Sequence, residues 1–220
     1  MTFARARRPD AFGGWLLLLG VGYAVFHHAG TLFAGLGEVG DTRWADWIDL
    51  ATPFVVTGAA AGALRAGRAG GAAWTAFWFG AVLYTLGQGI HLAANSVANV
   101  APGEPAHLWD EVVGHYLWYG GFAVIMATLA ATLSDRRVRT GPVAYLVAGL
   151  VGFTHFTNSI EGQTVAMGIA TAAVFTLWGM ATRHGAGRLL LTAYGLSLVL
   201  FTVFGVWQGG FPEFSELGWI

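Results

Sequence analysis

Seven stretches of this chain are apolar enough to be read as membrane helices, and short clusters of Arg, Asp, Glu, Pro or Gly separate them. They cover residues 11–36, 44–64, 72–97, 106–133, 143–158, 164–182 and 189–207. At a rise of about 1.5 Å per residue, roughly 20 residues cross the hydrocarbon core of a bilayer. The pattern predicts an all-α protein, a polytopic integral membrane bundle of seven helices forming one domain over 1–220. The fifth stretch is the shortest. As a re-entrant segment it would leave six spans and move the C-terminus to the other side. Arg5, Arg7 and Arg8 ahead of Leu16 to Leu19 also resemble the start of a signal peptide. The apolar run is too long for that and no small-residue cleavage site closes it, so it is read as a first span that stays attached.

Charge placement sets the expected orientation. With the N-terminus cytoplasmic, Arg5, Arg7, Arg8, Arg65, Arg68, Arg136, Arg137, Arg139, Arg183 and Arg188 fall inside and only Arg43 outside. That is the positive-inside asymmetry, and it predicts N-in and C-out. The acids distribute the other way: Glu38, Asp41, Asp46, Asp49, Glu104, Asp110, Glu111, Glu161, Glu213 and Glu216 lie outside, Asp10 and Asp135 inside. Trp44, Trp47, Trp109, Trp207 and Trp219 at one boundary and Trp15, Trp74 and Trp178 at the other fit interfacial belts. Gly58 and Gly62 have the spacing of a small-residue helix contact.

Composition narrows the function classes. Only 10% of residues are charged and 55% are apolar, against about 25% charged in an ordinary soluble domain. There is no Cys, which excludes disulfides and thiolate metal sites, and every basic residue is Arg, which excludes a retinal Schiff base. A net charge of -1 without a basic patch argues against nucleic acid as a partner. Arg without Lys, with abundant Ala and Gly, is compatible with a GC-rich bacterial genome and hence with a bacterial cytoplasmic (inner) membrane.

The chemistry-bearing residues gather toward the outer ends of the spans, where ionisable groups in a membrane helix are functional by default. In the third span Tyr84, Gln88, His91 and Asn95 recur every three to four residues and share a face. In the fourth, His107, Glu111 and His115 are each four apart with Asp110 alongside, close enough for Glu111 and His115 to share an ion. The fifth ends in His155, Asn158 and Glu161, and the first contributes His27 and His28. His184 sits in an Arg-rich inner loop and is read as solvated. Asp46 and Asp49 read as helix-start charges at the interface, and Glu38 and Asp41 as loop charges.

Three physical readings compete for this set. The first is a divalent metal site, zinc before other ions, held by His91, Glu111, His115 and His155, with Asp110, Asn95 and Asn158 orienting them. The second is a structural polar network. The third is haem held by two His on facing helices. No HExxH, paired ExxH or HxxHH pattern is present.

Gly87 to His91, followed by Leu108, Trp109, Asp110 and Glu111, resembles in order a region of the seven-span alkaline ceramidase and adiponectin-receptor-like membrane hydrolase superfamily. The resemblance spans about thirty residues. It implies zinc-dependent hydrolysis of a lipid amide or ester, with His91 as ligand and Asp110 as a ligand or water-orienting carboxylate. Two features depart from that pattern: Gly87 stands where the family has Ser, and the paired HxxxH of its seventh span is missing.

The expected function is a membrane metalloprotein whose site opens outward, a metal-dependent hydrolase of a lipid-like substrate with Asp110 or Glu111 taking the proton. Membrane lipid is the expected surrounding and other membrane subunits are possible partners. A haem- or metal-binding redox or accessory subunit and an ion or proton transporter are the alternatives. The inner halves of the spans carry no strong ionisable group to continue a relay. The segment from Gly209, with Phe211, Phe214 and Trp219, reads as an interfacial anchor or a cover for the site.

Overall fold

The computed structural model describes residues 11–133, 138, 141–182 and 185–219. Arg5, Arg7, Arg8, Asp10, Asp135, Arg136, Arg137, Arg139, Arg183 and His184 lie outside the described residues; of the Arg residues expected inside, Arg65, Arg68 and Arg188 are described.

The described chain is almost entirely helical. The elements are α1 (Ala11–Phe26), α2 (Ala29–Leu32), α3 (Trp44–Asp49), α4 (Thr52–Ala66), α5 (Gly71–Val100), α6 (Glu104–His107), α7 (His115–Leu133), α8 (Pro142–Glu161), α9 (Val165–Ala181) and α10 (Gly185–Gln208). A π-helical segment, Leu108–Gly114, joins α6 to α7. The only strands among the described residues are β1 (Glu38–Val39) and β2 (Thr42–Arg43), a two-rung hairpin ahead of α3. Proline marks helix starts, as at Pro53, Pro105 and Pro142, where a missing N–H costs nothing.

Seven of these helices pack in a closed ring, in the order α1, α4, α5, α7, α9, α10, α8 and back to α1. Tyr23, Tyr84, Tyr194, Phe77 and Ile125 are buried in the core they enclose. The outward faces carry large apolar side chains: Phe54 is 78% exposed, Leu146 65% and Val206 80%. A water-soluble protein would bury such residues, whereas a lipid-facing surface has no reason to. Four segments, Trp44–Ala66, Glu104–Thr132, Pro142–Glu161 and Gly185–Gln208, are long and apolar enough to cross a membrane.

Several boundaries differ from the sequence-based expectation. The fifth stretch is one 20-residue helix, Pro142–Glu161, because the polar end with Ser159 and Glu161 stays helical past the apolar run. The first stretch breaks at His27 and His28, where the chain turns before α2. Gly62 does not meet another glycine; the ring of Trp15 lies against it.

Candidate metal centre

Two backbone features build the site. The first is the seam between α5 and α7, where glycines let the backbones touch. A Cβ on Gly87 would stand 2.2 Å from the Trp118 amide nitrogen, and one on Gly121 would stand 2.3 Å from that of Tyr84. Gly80 and Gly87, seven residues apart on α5, thus face Gly114 and Gly121, seven apart on the antiparallel α7 side. Just beyond this seam His91 meets the start of α7.

The second feature is the π segment. In an α-helix, residues five apart lie about 140° apart around the axis, so Asp110 and His115 would face different ways. Here the His115 N–H bonds to the Asp110 carbonyl, an i→i+5 bond that widens the turn. Asp110 and Glu111 then flank His115 together. Such bulges frequently mark functional positions.

The result is a compact group. Ligand-capable atoms of His91, Asp110 and His115 all lie within 4.8 Å of one another. The Nδ1–H of His91 donates to Asp110 Oδ1 at 2.5 Å, which fixes the tautomer and leaves Nε2 with a free lone pair. Glu111 Oε2 and His115 Nδ1 approach to 3.0 Å. That distance suits an ion pair, yet neither atom has a hydrogen-bond partner, and both are inaccessible to solvent. Donor atoms sharing one tetrahedral ion, each about 2.0–2.2 Å from it, stand about 3.3–3.6 Å apart, so this pair would open by a few tenths of an ångström to share one. Leaving the pair without a common partner would cost about 1–3 kcal/mol per group.

His91, Glu111 and His115 form one wall of a cavity of about 650 Å³. Asp46, Asp49, Asn95, Arg43, Asn158, Glu161, Phe214 and Trp219 also line it. Glu161 Oε2 accepts the backbone N–H groups of Phe214 (2.8 Å) and Ser215 (3.3 Å), which folds the segment after α10 over the cavity. A second, apolar cavity of about 100 Å³ between α1, α8 and α10 carries no polar cluster.

The remaining candidates divide into neighbours and outliers. His27 is saturated: its Nδ1 accepts from Asn158 Nδ2 at 2.7 Å and its Nε2 meets the Tyr84 hydroxyl at 2.6 Å. His28 is held by Ala24 O and the Thr157 hydroxyl. His155 stands apart, with Nε2 donating to Gly168 O at 3.0 Å and its ring edge-on to Tyr194. His107 is exposed. Gln88 is buried, with neither amide atom hydrogen-bonded.

Some contributors were not legible as such. Asp46 and Asp49, read from sequence as interface charges, are each 7% exposed and line the cavity. Asp46 is held by Arg43, whose Nη2 donates at 2.7 Å and Nε at 3.2 Å. The Arg43 guanidinium titrates higher than usual, chiefly because of that hydrogen bond. Trp118 lies between the rings of His27 and His91, at centroid distances of 4.6 and 5.2 Å. Its position three residues after His115 was the available signal.

No protein-family model, no curated protein and no solved structure matches this chain. The fold and the cluster define a class by themselves: a helical protein with four segments, among the described residues, long and apolar enough to cross a membrane, and a His/Asp group that could hold a metal ion.

Proposed function

We propose that the chain is a seven-span membrane metalloenzyme, N-terminus inside, in which His91, Glu111 and His115 bind a divalent ion, zinc in the first instance, and Asp110 orients His91. The observation carrying this reading is the buried, hydrogen-bond-free pair of Glu111 Oε2 and His115 Nδ1, 3.0 Å apart on a cavity wall. Imidazole and carboxylate donors without thiolate suit zinc, manganese or iron. A carboxylate behind a ligating imidazole is the usual device for fixing its orientation.

The proposed activity is hydrolysis of an amide or ester in a lipid-like molecule. The bound ion would supply an activated water and polarise the carbonyl. Glu111 has a second carboxylate oxygen with which to take the proton of that water and return it to the departing nitrogen or oxygen. Asp110 keeps the His91 lone pair turned inward throughout. The aromatic wall of Phe156, Phe204 and Phe214 accommodates an acyl chain. A haem reading is less favoured, because both nitrogens of His27 are already engaged and Trp118 fills the space between His27 and His91.

Elemental analysis and a visible spectrum of the detergent-purified protein test the proposal. One equivalent of divalent metal in a colourless wild type, lost in His91→Ala plus His115→Ala, is expected. A Soret band, or no metal after zinc addition, would overturn it. A panel of lipid amides and esters then tests the hydrolase step.

A further inference from the structure

We propose that the Tyr119 hydroxyl is a catalytic hydrogen-bond donor of the same centre, serving the oxygen of the carbonyl that is hydrolysed. The inference rests on the metal-dependent hydrolase reading above and adds a residue to it.

Tyr119 stands one turn after His115 on α7, so the two side chains share a face. Their rings lie nearly parallel, at 12° with centroids 5.3 Å apart, and the Trp118 ring lies 5.1 Å from that of Tyr119. The end of α8 presses on the same pair. A Cβ on Gly162 would stand 2.9 Å from Tyr119 Cε2 and 3.0 Å from His115 Cγ, so a glycine directly after Glu161 lets both rings seat there. A phenol ring held by His115, Trp118 and the end of α8 keeps its O–H in place before any substrate arrives, which is what stabilising a developing charge requires.

The ring is engaged and the hydroxyl is not. It makes no hydrogen bond among the described residues. Nor is it one of the solvent-inaccessible atoms, as Glu111 Oε2 and His115 Nδ1 are. Since Tyr119 lines the 650 Å³ cavity beside those two residues, its hydroxyl is open to that cavity. Of the charged groups around it, the Glu111 carboxylate acts on it most strongly, ahead of Asp49 and Asp110. Other donors of the lining are committed: Asn158 to His27, and Arg43 to Asp46. Asn95 also lines the cavity without a bond and is the rival donor.

The chemistry fits a donor in that place. As the new bond from the water oxygen to the carbonyl carbon forms, the carbonyl π pair moves onto its oxygen. The Tyr119 O–H donates to that oxygen and keeps its proton throughout. Glu111 takes the proton of the water and passes it to the departing nitrogen or oxygen as the bond to carbon breaks. A hydrogen bond that strengthens as the charge grows lowers the barrier more than it tightens substrate binding.

Tyr119→Phe keeps the ring and removes only the hydroxyl. Two zinc-binding probes with the same alkyl chain read its role: a phosphinate, whose tetrahedral oxygens mimic the charged carbonyl oxygen, and a thiol, which offers no oxygen. In the zinc-loaded, detergent-purified full chain, Tyr119→Phe is expected to weaken the phosphinate at least about tenfold, as loss of a hydrogen bond to a charged oxygen does. Thiol affinity and zinc stoichiometry should match wild type. With a substrate from the lipid panel, kcat should fall about 10²–10³-fold at unchanged KM. Equal phosphinate affinity in Tyr119→Phe and wild type overturns the proposal, and so does a loss found in Asn95→Ala instead. Weakening of zinc and thiol together with the phosphinate overturns it too, by showing a structural role. Wild type without zinc is the failure of the metal reading itself and takes this inference with it. Zinc-loaded wild type that hydrolyses nothing in the panel overturns the hydrolase reading and the catalytic role, even where Tyr119 holds the phosphinate.

Discussion

Gly87→Ala isolates the contact on which the proposed metal centre depends. The added Cβ would sit 2.2 Å from the Trp118 nitrogen, 2.6 Å from its Cα and 2.7 Å from the Gly114 carbonyl oxygen. All three are backbone atoms, so no side chain can rotate out of the way. Ordinary contact begins at 3.4 Å, so α5 and α7 must part by about 1.2 Å, the difference from the closest contact. Overpacking of this kind costs about 1–3 kcal/mol. The displacement also exceeds the roughly 0.5 Å within which a binding constellation must be held. Since His91 rides on α5 while Asp110, Glu111 and His115 ride on the other side of the seam, zinc affinity should fall at least about tenfold. Gly89→Ala is the control: nothing lies within 4 Å of its Cβ, and replacing a mid-helix Gly gains about 0.5–1 kcal/mol. Unfolding by a strong detergent in mixed micelles, with zinc affinity measured by competition against a chelator, reads both effects. If Gly87→Ala unfolds and binds zinc like wild type, the backbone contact between α5 and α7 is wrong, and with it the placement of His91 opposite Asp110.

Three further outcomes are expected. Asp110→Asn removes the carboxylate that holds His91 and should weaken zinc about 10–100-fold without altering the helix content seen by circular dichroism; an unchanged affinity would show that His91 needs no such support. His155→Ala should leave the zinc stoichiometry intact while lowering stability by about 1 kcal/mol, because its bond to Gly168 O ties α8 to α9. Loss of zinc would place His155 in the metal centre after all. Glu213 titrates above its ordinary value of 4.5, first because of partial burial and then because of Glu111, Glu161 and Glu216, with the Gln163 hydrogen bond opposing. The docked segment thus binds the Glu213 proton more tightly than the undocked one, so docking is strongest below about pH 4.5 and weakens as pH rises through the elevated value. Hydrogen exchange at Phe214 and Ser215, corrected for intrinsic rates, should accelerate across that window and lose the dependence in Glu213→Gln; slower exchange at higher pH would reverse the sign.

The sequence by itself determined the helical class and the polar stripes. Apolar runs near the length of a bilayer can satisfy their backbone in lipid only as helices, and the four-residue spacing of Glu111 and His115 puts them on one face in any helical winding close to α. The recurrence of Gly80, Gly87, Gly114 and Gly121 was visible in the sequence, but its partners were not, because a seam belongs to two helices and one chain pattern does not say which pair meets. Asp110 was legible as a neighbour of Glu111 and His115, but not how closely it joins His91 and His115. That closeness depends on one residue of extra winding in Leu108–Gly114, and an α-helical reading turns Asp110 away. The tertiary structure also chose among the histidines, which look equivalent in sequence. Their places along the apolar stretches put His27, His91, His115 and His155 at similar expected levels, but hydrogen-bonding neighbours saturate His27 and hold His155 to Gly168. Only packing decides which polar groups find hydrogen-bond partners within the protein, because that accounting runs over atoms from helices far apart in the chain.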